Sequence, residues 1–390
     1  MKQHAFLFIT IVLVACLTQF ASDIYASSLP GISMTLHADI NWVQWSLSIY
    51  MVGVALSQLI YGPLSEGIGR KIPILIGLSI LLIGSLICVF SFAIKGLLIG
   101  RLVQGCGAGA VAALWRSVFR DVFEGEELAK YSSYLVVFIL FIIPAAPALG
   151  GFLEHYFGWR ASFIFMLGYT LIALLLMIFG FKETNIHYHK ERLQLRYIGK
   201  TFLVLLKSPI FMGTTLSTFF TYGAFFSYFV AGPVVLITHA GLTPVEFGLI
   251  TLIGGGVAYA LSGYLNGKLV TRWGMQKLMR LGWCICLVAG VFMLITYFLT
   301  GVQAWSIIAS VIAFYFGSTF IWPNAFSIAF TPFGSIAGYA GALYGSMQIG
   351  GAAVLGSLVS FLPDSTQLPL AGTFIIGPGL AWLIYEKWVR

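Results

Sequence analysis

The chain has 390 residues, 59% of them hydrophobic and only 9% charged. Soluble domains carry about 25% charged residues, so this composition excludes an ordinary water-soluble enzyme. Its net charge of +8 would suit a nucleic-acid partner, but where the charges fall along the chain argues against one.

Apolar runs of 18 or more residues, bounded by Gly, Pro and charge, predict twelve membrane helices. They lie at 5–29, 42–62, 72–92, 96–117, 131–153, 159–181, 209–237, 246–268, 278–300, 303–323, 335–361 and 367–387. At the start, Lys2 and the stretch Leu13-Val14-Ala15-Cys16 are similar to a cleavable lipoprotein signal. The apolar run continues past Cys16, so the segment is read as the first span. One hydrophilic stretch, 182–208, separates six spans (1–181) from six more (209–390). It carries Lys182, Lys190, Arg192, Arg196, Lys200 and Lys207, and Leu193, Tyr197 and Phe202 give it an amphipathic helix expected to lie on the membrane. With both termini in the cytoplasm, 18 of the 21 Lys and Arg fall at inner loops and inner helix ends. Only Lys95 and Arg160 are then outside, and Arg101 is within the fourth span. That asymmetry is the positive-inside rule, so the basic balance is a topology signal and no nucleic acid is expected as a partner.

Cys16, Cys88, Cys106, Cys284 and Cys286 all fall inside apolar runs and read as small buried hydrophobes. His187 and His189 read as a solvated loop, so no metal is expected. No Gly-x4-Gly-Lys-(Ser/Thr) loop is present, which argues against ATP-driven transport, and no cofactor is expected. Gly105-x3-Gly109 and Gly341-x3-Gly345 read as close helix-packing faces.

A weak repeat links the halves. Gly62-Pro-Leu-Ser-Glu-Gly-Ile-Gly-Arg-Lys71 follows the second span, and Gly263-Tyr-Leu-Asn-Gly-Lys-Leu-Val-Thr-Arg-Trp-Gly274 follows the eighth. The fold expected is therefore an all-α polytopic membrane protein of two six-helix pseudo-repeats, with a site at their seam.

Ionisable groups in hydrocarbon are costly and usually functional. Asp23 lies about 27 Å along the first span at 1.5 Å per residue, and Arg101 about 8 Å in from the outer end of the antiparallel fourth span. The two reach similar depth. A buried carboxyl tends to hold a proton and a nearby guanidinium favours its release, so Asp23 and Arg101 are candidates for binding a proton or cationic substrate, with a static ion pair or an interface-exposed acid as the alternative. Phe138, Phe141, Tyr222, Phe225, Phe226, Tyr228, Trp322 and Tyr344 are candidates to line a pocket for flat amphiphilic compounds, each with lipid-facing or packing roles as the alternative. Gln104 and Gln348, polar groups within spans, are open to bonding either substrate or a neighbouring helix.

Several of these motifs carry a resemblance. Gly62 to Lys71 resembles the signature loop between helices 2 and 3 of the major facilitator superfamily. Arg101-Leu-Val-Gln104-Gly105 resembles its helix 4 motif, and Pro144-Ala-Ala-Pro147-Ala-Leu-Gly150-Gly151 the Pro/Gly motif of its proton-coupled antiporters. Asp23-Ile-Tyr25 with Leu29-Pro30, Arg116-Ser-Val-Phe-Arg120-Asp121, Gly158-Trp159-Arg160 and Trp322-Pro323-Asn324 are similar to the bicyclomycin/chloramphenicol-resistance group of drug:proton antiporters. The resemblance implies a monomeric bacterial inner-membrane exporter that moves a small molecule against protons by alternating access. A dedicated carrier of one metabolite (an amino acid, sugar or siderophore) is the alternative on the same fold. It further implies that Tyr25 and Asn324 join the pocket candidates. Gly62, Glu66, Gly69, Arg70, Arg120 and Asp121 would form a cytoplasmic gate in which the loop acid touches the eleventh span and Arg70 pairs with Asp121. One departure is Glu66-Gly67 where the family loop usually has Asp-Arg.

Overall fold

The computed structural model describes residues 2–123, 125–185 and 194–389. Helices before the hydrophilic stretch are α1 (Lys2–Asp23), α2 (Leu29–Leu36), α3 (Ile40–Ile68), α4 (Lys71–Val89), α5 (Ile94–Val122), α6 (Gly125–Phe157) and α7 (Arg160–Phe179). A short α8 (Leu195–Lys207) follows, within the stretch itself. After it come α9 (Pro209–Pro233), α10 (Pro244–Ile250), α11 (Gly256–Trp273), α12 (Met275–Thr300), α13 (Ala304–Phe330), α14 (Ala337–Ser360) and α15 (Leu368–Trp388). Among the described residues there is no strand. Among the described residues eleven helical stretches are long and apolar enough to cross a membrane, and α6, 33 residues long, is a further long helix that holds the predicted fifth span. Short connections force neighbouring helices antiparallel, so the bundle has one end bearing the termini and one far end. Its perimeter is apolar, with Ile60, Phe92, Phe179, Leu299 and Leu383 all exposed.

The first span differs from its expected bounds. α1 stops at Asp23, a 3₁₀ turn occupies Ala26–Ser28, and α2 carries the apolar stretch on to Leu36. Pro30 sits in the first turn of α2, where no amide donor is needed. A hydropathy window averages across such a break and cannot register it. The eighth span begins at a capping box in which Thr243 and Glu246 bond each other's backbone amides at 3.2 and 2.8 Å. It then widens into a π turn at Thr251–Gly255 before α11. The helix of the fifth predicted span, α6, continues through Pro144 and Pro147. The chain at 186–193, including Lys190, Arg192 and both loop histidines, lies outside the described residues.

Helices from either side of the hydrophilic stretch meet mainly along α3–α14 and α6–α10. At the far end, Trp45 Nε1 donates to Ser357 Oγ at 3.2 Å across that boundary. Of the expected glycine faces, Gly105, Gly109 and Gly345 are in close contact, while Gly341 is in ordinary van der Waals contact with Phe330. A Cβ on Gly105 would stand 2.2 Å from the Tyr50 carbonyl oxygen, and one on Gly345 2.5 Å from Gln58 Oε1.

Candidate functional site

Asp23 is the final residue of α1, where helix carbonyls and side chains lose their regular partners. It is fully buried, at 0% exposure. Gln19 Nε2, one turn back, donates to one carboxylate oxygen, and Ser22 Oγ donates to the other. A buried carboxylate without donors would cost several kcal/mol, so these two bonds hold it in place.

Arg101 on α5 is equally buried. It reaches the same layer, donating from one terminal nitrogen to the carbonyl of Ala21 at 2.7 Å and to Gln104 Oε1. Its Nε points to the Ser46 carbonyl at 3.5 Å. The guanidinium carbon lies 4.4 Å from the centre of the Tyr25 ring and 4.1 Å from that of Tyr50, two cation–π contacts. No ion pair between Asp23 and Arg101 occurs among the described residues. Depth arithmetic thus places both charges in one layer, but they do not pair: Asp23 is held by Gln19 and Ser22, while the second terminal nitrogen of Arg101 is buried with no hydrogen-bond partner among the described residues. Gln104 bonds Arg101 through its oxygen and Ser85 Oγ through its nitrogen at 2.8 Å, so its amide joins α4 to α5. Tyr25 is buried, its hydroxyl 2.8 Å from Ser46 Oγ.

Across the boundary stands an aromatic cluster. Trp322 lies 5.6 Å from Tyr222 and 5.1 Å from Phe225, ring centre to ring centre, and Phe225 lies 5.0 Å from Tyr315. Tyr259 stacks on Tyr315 at 5.2 Å with only 16° between the planes. The phenols of Tyr50, Tyr222, Tyr259 and Tyr315 are within electrostatic reach of the Asp23 carboxylate. The hydroxyls of Tyr259 and Tyr315 and the indole nitrogen of Trp322 are buried with no partner. Orphaned polar atoms in a core normally demand an explanation, and here three belong to one aromatic cluster.

Other candidates sit elsewhere. Phe226 is buried where α9 meets Gly356 of α14. Tyr344 packs on Phe326 and Phe330. Asn324 donates to Asn266 Oδ1 at 2.8 Å, joining α13 to α11. Gln348 is half-buried. Phe138 and Phe141 are exposed, at 49% and 59%, and stand outside the cluster. Sequence reasoning missed Gln19, Ser22, Tyr50, Tyr259 and Tyr315. Phenols in the middle of apolar spans were the available signal, since each must place one hydroxyl.

At the terminus-bearing end, Arg70 joins three side chains: Nε to Asp121 Oδ2 at 2.9 Å, one terminal nitrogen to Ser65 Oγ at 2.6 Å, and the other to Glu66 Oε1 at 3.2 Å. Gly69 has φ +91, a conformation side chains rarely adopt. Glu183, also unanticipated, accepts from the backbone amides of Arg70 and Lys71 at 2.8 and 3.0 Å and so occupies the N-terminus of α4. Glu66 Oε1 stands 3.0 Å from the point a Cβ on Gly338 would occupy, on the first turn of α14. Gly62 faces Ala342 of α14 as closely, at 2.8 Å. The Arg120 side chain lies outside the described residues. Of the Pro/Gly motif, Gly150 lets the Ile24 carbonyl oxygen come within 1.5 Å of where its Cβ would be, and Gly151 admits Pro244 of α10 at 2.1 Å.

A bundle of long apolar helices, with a buried carboxylate on one side of the hydrophilic stretch and an aromatic cluster on the other, has the parts of a membrane transporter. The chain belongs to the Major Facilitator Superfamily, whose family model matches residues 11–357. It is 28% identical over 373 residues to the bicyclomycin resistance protein homolog of Haemophilus influenzae, covering 95% of this chain and 93% of that one. It is also 28% identical over 389 residues to multidrug resistance protein D of Escherichia coli, covering 98% and 96%. In fold it resembles the partially occluded, inward-open xylose transporter XylE of E. coli, with a TM-score of 0.77 at 15% identity over 100% of this chain and 98% of that one.

Proposed function

We propose that this protein is a proton-coupled secondary transporter that exports small amphiphilic compounds across a bacterial cytoplasmic membrane. It crosses the membrane twelve times with both termini inside, and residues 1–181 and 209–390 rock about their seam as a functional monomer. The observation that supports this reading is Asp23: a fully buried carboxylate at the break of α1, held by Gln19 and Ser22 and in no ion pair among the described residues. Such a group can exchange a proton for a substrate contact without tearing an ion pair apart. The aromatic cluster across the boundary offers flat apolar surface for an amphiphile, and the resistance names of the two relatives favour export of toxic compounds.

Asp23→Asn tests the reading in proteoliposomes. The variant should insert and bind neutral substrates yet release no protons on substrate addition. Wild-type proton release would overturn Asp23 as the coupling site. An accumulation panel of unrelated compounds, with and without a protonophore, measures breadth, and a response confined to one compound would make the protein a dedicated carrier.

A further inference from the structure

The short helix α8 belongs to neither the seam nor the gate, and its faces differ sharply. Ile198, Thr201, Phe202 and Leu205 turn toward the bundle, Thr201 and Leu205 being buried. They pack at the terminus-bearing end of α9 and α14. Arg196, Lys200 and Lys207 are spaced four and seven residues apart, so at 3.6 residues per turn they share one stripe about 40° wide, opposite the buried face. All three are exposed, and none is in an ion pair among the described residues. Beside the stripe, large apolar side chains also stand exposed: Leu203 at 49% and Val204 at 55%.

A helix that offers cations flanked by bare apolar side chains matches one environment, the headgroup and upper acyl layer of an anionic leaflet. Water would solvate the cations and leave the apolar flank uncovered. A protein partner would need carboxylates to match a stripe that already lies beside a membrane-embedded bundle.

The helix is also joined to the gate. Tyr197 and Phe202 each set a ring edge against Tyr339, at 5.9 Å between centres. Tyr339 is the residue after Gly338, against which the Glu66 carboxylate rests.

We propose that α8 is a docking surface for anionic phospholipid headgroups and that its occupation clamps the first turn of α14 where Glu66 meets it. The docking holds whatever the protein transports. Each cation near an anionic surface favours binding about fivefold, and three together about a hundredfold.

The test uses the full-length protein with exposed Cys284 and half-buried Cys106 changed to Ser and a nitroxide on Val204→Cys. Vesicles are phosphatidylcholine alone or about one-third phosphatidylglycerol. Phosphatidylglycerol should sink the label, raising its collisions with oxygen and lowering those with a water-soluble nickel chelate. Arg196→Gln, Lys200→Gln and Lys207→Gln together should abolish that response without disturbing folding, since all three side chains are exposed. A second label pair, on Glu127 and Arg272 at the same end of α6 and α11, reads the gate, and its distance should respond to phosphatidylglycerol only with the cations intact. Equal depth in both membranes overturns the proposal, as does a response that survives neutralisation. Reproduction of the effect by inorganic phosphate in phosphatidylcholine vesicles would assign the stripe to a free anion and overturn it too. A depth change with no change in gate distance overturns the clamp.

Discussion

Replacing Glu66 with Gln should open the terminus-bearing end of the transporter. The carboxylate is 14% exposed and is drawn in two directions. Arg70, 3.2 Å away, fixes its orientation but lies on the same side of the seam. The first turn of α14, with Gly338 3.0 Å from Glu66 Oε1 on the basis of an added Cβ, lies on the other side. Helix N-termini carry unpaired amides and about half a positive charge, and a partly buried carboxylate there contributes about 1–2 kcal/mol. Of these two contacts it is the one to α14 that crosses the seam, so its energy biases the two states, and its loss should shift their ratio about 5- to 30-fold. Asp121→Asn removes the negative charge from a bond that Arg70 makes at 2.9 Å within one side. It should act indirectly, through the position of Arg70, by less than about threefold. Pulsed spin-resonance distances between labels on residues 127 and 272 measure the populations, and turnover should slow with little change in substrate affinity. An unchanged distance distribution in Glu66→Gln would refute the reasoning, and so would a larger effect from Asp121→Asn.

Gly150→Ala places a methyl 1.5 Å from the Ile24 carbonyl oxygen, so α6 or the break in α1 must move. It should cost about 1–3 kcal/mol, and more if α6 resists moving, and a wild-type thermal midpoint in detergent would contradict the contact. Tyr259→Phe and Tyr315→Phe each remove a buried hydroxyl that has no partner. Stability should hold or rise, because about 1–3 kcal/mol of desolvation penalty disappears, while affinity for a hydrogen-bonding substrate falls. A loss of stability above about 1 kcal/mol in either variant would show that its hydroxyl is bonded in the resting protein.

Much of this architecture was legible because its signals are long and repeated. Runs such as 72–92 and 278–300 hold enough apolar residues that no local feature hides them, and α4 and α12 fall there. Shorter signals were lost. The break after Asp23 occupies a few residues between two apolar stretches. Depth arithmetic put Asp23 and Arg101 in one layer, but spacing along two helices says nothing of the Ala21 carbonyl or the rings of Tyr25 and Tyr50 that hold the guanidinium instead. Tyr259 and Tyr315 were obscured by the abundance of aromatics, 16% of the chain, and only their stacking makes them conspicuous. Glu183 read as one more polar residue of a loop, because a helix N-terminus attracts an acid from any part of the chain.

The Ile24 carbonyl beneath Gly150 gives the fracture in α1 a mechanical meaning. Among the described residues Asp23 bonds to Gln19 and Ser22 of its own helix, so in the proposed mechanism a change in its protonation acts first on α1. The next residue, Ile24, is pressed against α6 at a place with no room for even a methyl group, and one residue further along α6 Gly151 bears on α10. A small rotation at the fracture therefore has nowhere to dissipate and must displace α6 against α10. In this protein the lever arm is a missing side chain, and its stiffness rests on how little space lies between two backbones.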